Sequence, residues 1–126
     1  FSKEMIKHAL KQYPENEFYH IVNLNEITSA EYSVSSGIFN VKMNNSDTEW
    51  LQYILDTLKK INSKSEKGFA FNIINLIACD KKFMKKNLYY ADLEFFYNFC
   101  KKNFSDNITI LDNYGLYEFT ILINKN

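Results

Sequence analysis

From Phe69 to Cys79 the chain is almost unbroken in apolar, β-favouring side chains, with only Asn72 and Asn75 interrupting the run. It is too short and too polar to span a bilayer, which takes about 20 apolar residues. It reads instead as a central strand buried on both faces. The rest of the fold must then supply the elements that cover it.

Three segments have helical periodicity. In the first, Met5, Ile6, Ala9, Leu10 and Tyr13 recur on one face, with Ser2 as the cap and Pro14 as the stop. In the second, Ser46 and Glu49 have the spacing of a capping box, ahead of an apolar stripe through Trp50, Leu51, Ile54, Leu55, Leu58 and Ile61. The third runs from about Ala91 to Asn103 and places Leu93, Phe96, Tyr97 and Cys100 on one face, with Phe104 just beyond.

Alternation of period two marks the strands. It is present from Phe18 to Leu24, at Tyr32 and Val34, and again at Phe39, Val41 and Met43 around Ser35-Ser36-Gly37. Asn62 to Gly68 reads as a loop, and Ile108–Leu111 with Leu116–Ile123 as a terminal hairpin turning at 112–115. The expected order is α-β-β-(β)-α-β-α-β-β. That predicts a single α+β domain spanning 1–126, a mostly antiparallel sheet of about five to six strands packed with three helices. No Gly-rich turn joins a strand to a helix, which argues against a dinucleotide or P-loop fold.

Composition narrows the chemistry. All 15 basic residues are Lys, as in AT-rich genomes, so the bidentate clamping of phosphate or guanine that Arg provides is excluded. Cys79 and Cys100, twenty-one positions apart, make neither a disulfide framework nor a zinc ribbon. They read as two buried thiols in a reducing, cytoplasmic setting. No charged-then-apolar leader opens the chain, which begins at Phe1, and a soluble protein is expected. His8, four residues after Glu4, reads as a helix-surface pair, and His20 as a ring on an apolar strand face. Neither completes a metal site, and no metal or cofactor is called for.

The formal charge of zero is unevenly spread. From Glu15 to Asp56 seven acids face Lys42 alone, a net of −6; from Thr57 to Lys102 ten lysines face four acids, a net of +6. Such fields steer association with partners of opposite charge. Three readings follow. In the preferred one, the acidic part, with Glu26, Glu31 and Tyr32 and with Asp47 further out, binds another protein. A small non-enzymatic inhibitor or toxin-neutralising immunity-type protein with a basic toxin or enzyme as partner would fit. In the second, the Lys81 to Lys102 segment, led by Lys81, Lys82, Lys85 and Lys86 with Phe83, Tyr89 and Tyr90 nearby, holds nucleic acid. In the third, Cys79 and Asp80 at the end of the central strand centre an enzyme or ligand site, with His20 as base. No membrane partner is expected.

Overall fold

Two chain segments whose paired residues lie 35 or 36 positions apart in sequence share the same hydrogen-bonded ladder because one long helix returns the chain between them. In the computed structural model, which describes residues 3–17 and 24–125, β1 (Ala30–Ser35) is followed by α2 (Asp47–Lys64) and then β2 (Ser65–Ile74). α1 (Lys3–Gln12) precedes them, and α3 (Leu93–Asn103), β3 (Asn107–Leu111) and β4 (Glu118–Asn124) follow. At about 1.5 Å per residue, the 18 residues of α2 span roughly the length of the 10-residue β2. The chain therefore re-enters the sheet at the end where β1 began, with Ala30 opposite Ser65 and Ser35 opposite Phe71. Such a crossover makes the pair parallel.

The sheet is thus mixed and four-stranded, in the order β1-β2-β4-β3, with β4 antiparallel to both β2 and β3. This corrects the expectation of five to six mostly antiparallel strands. The segment expected to be a strand at Phe39–Met43 is a pair of turns: Gly37 has φ +71° and Met43 φ +54°, and Val41 makes only an isolated bridge to Leu88. Its apolar residues are used differently. Phe39 is fully buried, and its carbonyl accepts the Trp50 indole N–H at 2.8 Å. The expected strand at Phe18–Leu24 falls on residues 18–23, which lie outside the described residues, and on Leu24, which begins a short 3-10 turn. Ser2 also lies outside them.

The expected loop at Asn62–Gly68 is absent too. α2 runs to Lys64 and β2 starts at the next residue. Ser65 makes this abrupt change workable, since its Oγ donates to the Ile61 carbonyl and reaches Ser33 Oγ, both at 2.7 Å. Lys125 Nζ donates to the Asn62 and Ser65 carbonyls, satisfying acceptors that a helix end leaves open.

The strongest sequence signal forms as read. Ser46 Oγ accepts from the Glu49 N–H while the Glu49 carboxylate accepts from the Ser46 N–H, the reciprocal capping box. Those bonds hold the Glu49 carboxyl below the usual carboxylate range. α2 and α3 cover one face of the sheet. There Phe69, Phe71 and Ile73 of β2 and Phe119, Ile121 and Ile123 of β4 meet Ile54 and Leu58 of α2 and Phe96 and Cys100 of α3. Phe71 and Phe96 pack edge to face at 6.3 Å. Burial pushes the Cys100 thiol up to about 12, so this cysteine is a core residue rather than a nucleophile.

Candidate functional site

In an open sheet with parallel strands, ligands gather outside the carboxyl ends of those strands. Here that edge is formed by the chain leaving β1 at Ser36-Gly37 and leaving β2 at Asn75, beside the start of β4 at Glu118. A cavity of about 760 Å³ opens there. Ile74 and Glu118 are direct cross-strand partners and share its inner wall. Phe83, Tyr90 and Tyr117 supply aromatic walls, while Leu88 and Leu116 supply aliphatic ones.

The loops around the cavity are held by backbone bonds. Asn75 N–H donates to the Tyr117 carbonyl at 2.8 Å, Ala91 N–H to Ile74 at 2.8 Å, and Leu76 N–H to Ala91 at 3.0 Å. Tyr90 OH accepts from the Lys85 N–H at 2.8 Å, folding the 85–90 connection onto itself.

A polar network lies behind the inner wall. The Asn72 amide oxygen accepts from the Gly37 N–H at 2.7 Å, and its nitrogen donates to Glu118 Oε1 at 2.9 Å and to Ser36 Oγ at 3.3 Å. Tyr114 OH also reaches Glu118 Oε1, at 3.4 Å, and Thr120 Oγ1, at 2.9 Å. Partial burial raises the Tyr114 phenol. One asparagine thus links the exit of β1, the carboxyl end of β2 and the first residue of β4.

The residues singled out in the sequence fall in several places. Cys79 and Asp80 do line the cavity. Asp80, however, caps the 3-10 turn Lys81–Phe83 by accepting from the Lys82 N–H, and it pairs with Lys82 Nζ at 3.2 Å. Cys79 is half-buried and approaches the Asp80 carbonyl at 3.7 Å, while its imagined base, His20, lies outside the described residues. Lys82 also sits over the Phe83 ring at 5.0 Å. Lys81 is exposed on the same turn. Lys85 borders both the main cavity and a smaller hollow that it shares with Lys86, Lys42 and Asp47.

The acidic candidates are dispersed. Glu26 is exposed on the 3-10 turn Leu24–Glu26. Glu31 pairs with Lys67 of β2 near the start of β1, whereas Asp47, bonded to Lys42 at 2.7 Å, sits at the opposite end of the sheet where α2 begins. Tyr32 faces the open side of the sheet beside Val34, Ala70 and Leu122. The charge separation in sequence is therefore mixed in space: Asp47 shares a hollow with Lys85 and Lys86, and Glu31 pairs with Lys67. Among the described residues, no group of three or more His, Cys, Asp or Glu could hold a metal ion, and no helix is long and apolar enough to cross a membrane.

Comparison with known proteins adds a direction. Over 96 residues the chain is 46% identical to a protein of Mycobacterium tuberculosis (strain ATCC 25618 / H37Rv) named "Putative methyltransferase Rv1506c". The matched stretch is 76% of this chain and 57% of the relative, so the chain spans a little over half the relative's length. No family model and no solved structure matches the chain.

An enzyme's name on a relative this similar overturns the expectation of a non-enzymatic inhibitor or immunity-type protein. That expectation rested on small size, an acidic segment with an aromatic anchor and the lack of a catalytic signature. Group transfer from an activated donor needs no such signature, since the donor carries the difficult chemistry and the protein supplies binding and orientation.

Glu118, Asn72 and Tyr114 went unnoticed in the sequence. Their signal was faint but present: Asn72 interrupts an apolar strand, and Glu118 is the single acid opening another, Phe119 to Ile123.

Proposed function

We propose that this chain carries the acceptor side of a methyltransferase, with the cavity at the carboxyl end of β2 as the place where the molecule to be methylated binds. The observation that carries this reading is the 46% identity to the named relative across 76% of the chain. The β1–α2–β2 crossover supports it, because its carboxyl edge is where an open α/β sheet places ligands and where the cavity lies. The third sequence reading, a site at Cys79 and Asp80, falls at the same cavity, since both residues belong to its wall.

A methyl donor of the adenosyl sulfonium type would ask for a Gly-rich turn opening a helix. The residues present do not fit one. Gly37 follows β1 with its N–H already given to Asn72, Gly68 lies inside β2, and Gly115 precedes β4. The role assigned to this chain is therefore to bind and orient the acceptor.

The test is retention of compounds from a small-molecule extract by the parent chain and by Leu88→Trp, which fills the cavity, followed by methyl transfer to the retained compounds from S-adenosylmethionine labelled in its methyl group, with the Mycobacterium relative as the catalyst. Retention by the parent, its loss in the filled variant and labelling of the retained compound is the expected result. Equal retention by both would remove the site. A retained compound left unlabelled while the relative transfers label to other compounds of the extract would remove the reading.

A further inference from the structure

The cavity has two carboxylates on its wall, and they differ in what they have left to bind. Asp80 is occupied by the Lys82 N–H and the Lys82 ammonium. Glu118 forms no ion pair among the described residues. Both of its hydrogen bonds, from Asn72 and Tyr114, arrive at Oε1. Oε2 has no partner among the described residues, on a half-buried side chain at a largely apolar wall. A carboxylate oxygen accepts only, and beside an apolar surface it is stabilised by a donor.

We propose that Glu118 anchors a neutral, hydroxyl-bearing ring compound in this cavity, its Oε2 accepting the hydroxyl hydrogen while Phe83, Tyr90 and Tyr117 contact the ring. The description of that compound as the methyl acceptor rests on the function proposed above; the binding site itself does not. Three observations set the ligand class. The volume of about 760 Å³ is that of a small-molecule site, well above what one ring fills. Phe83 and Tyr117 are 69% and 71% exposed, leaving aromatic surface at the cavity for a ring to cover. Lys85 on the wall, with Lys82 beside Asp80, disfavours a cationic ligand and leaves a neutral donor as the match for Glu118. Asn72 and Tyr114 act through Glu118 and are positioning residues.

The experiment is an NMR titration of the whole chain with three ring compounds: 4-ethylphenol, its methyl ether 4-ethylanisole, and 4-ethylbenzylamine. The expected order is 4-ethylphenol tightest, with the ether about tenfold weaker because it lacks the donor. Glu118→Gln should weaken 4-ethylphenol about fivefold and leave the ether unchanged, and Leu88→Trp should abolish both. The thermal midpoint of each variant confirms that it is folded. Equal binding of phenol and ether, tighter binding of the amine, an unchanged phenol affinity in Glu118→Gln, or no binding of the phenol to the parent would each overturn the proposal. Phenol binding as expected, with no label transferred by the Mycobacterium relative to any compound this chain retains, would keep the site and reject the methyltransferase reading. Label transferred to compounds whose retention is indifferent to Glu118→Gln and Leu88→Trp would do the reverse.

Discussion

The two faces of the sheet are built from the same strands and have opposite fates. On one, Phe69, Phe71, Ile73, Phe119 and Ile121 are at most 3% exposed beneath α2 and α3. On the other, no described helix covers the strands: Val34 is 79% exposed, Tyr32 59%, and Asn72, Glu118 and Thr120 are joined in a polar group near the carboxyl edge, Thr120 through Tyr114. α1 buries no residue of its own. Because successive residues of a strand alternate between faces, one face can be held rigid by packing while the other positions polar groups.

That comparison can be broken most directly from the covered side. Phe96→Ala removes a ring that touches Phe71, Phe95 and Phe119, and should destabilise the domain by about 3–5 kcal/mol in chemical denaturation. A loss under about 1 kcal/mol would mean that the aromatic cluster does not hold the layers together. Gly68→Ala tests the ladder between the faces. An added Cβ would collide with the Ile123 carbonyl oxygen, so β2 and β4 must separate locally, at a cost of about 1–3 kcal/mol.

At the sheet's carboxyl edge the effects are smaller. Ser46→Ala should cost about 1 kcal/mol by removing the cap of α2. The same capping box gives a pH test. The Glu49 carboxyl is lowered from 4.5 in the folded chain, so its contribution is present above that value and is lost as pH falls through the lowered one. The stability difference between parent and Glu49→Gln should be full at pH 6 and shrink toward zero in acid; a difference that grew on acidification would reverse the assignment. On the open face Val34→Thr should change stability by less than about 0.5 kcal/mol, the range for exposed positions. A large loss there would show that this face is packed after all.

What could be read in the sequence follows the range of each interaction. α2, α3 and the terminal hairpin are local structures, fixed by a capping box, a helical stripe and a turn, and they stand close to where the spacing puts them. The pairing of β1 with β2 is not local. Nothing near Tyr32 specifies that Gly68 will lie opposite it, and the parallel direction comes from the length of the helix between them. Phe39 shows the same limit in a side chain: its alternation with Val41 resembles a strand, yet packing against Phe71 and the Trp50 hydrogen bond draw it out of any ladder. The cavity was legible only at Cys79 and Asp80, on one wall. Glu118 enters it from a strand nearly forty residues later, through a register that only the folded sheet defines.

The hydrogen bond from Trp50 to Phe39 has a spectroscopic consequence. Trp50 is the one tryptophan in the chain, with the ring of Tyr53 4.7 Å away on the next turn of the helix, and its indole N–H is fixed to the connection that leaves β1. Its emission therefore reports on the segment between Gly37 and Ser46. Local opening of that segment would free the indole to water and shift the emission to the red while the far-ultraviolet circular dichroism of α2 and α3 stayed constant. The protein carries an intrinsic probe of the carboxyl edge of its sheet.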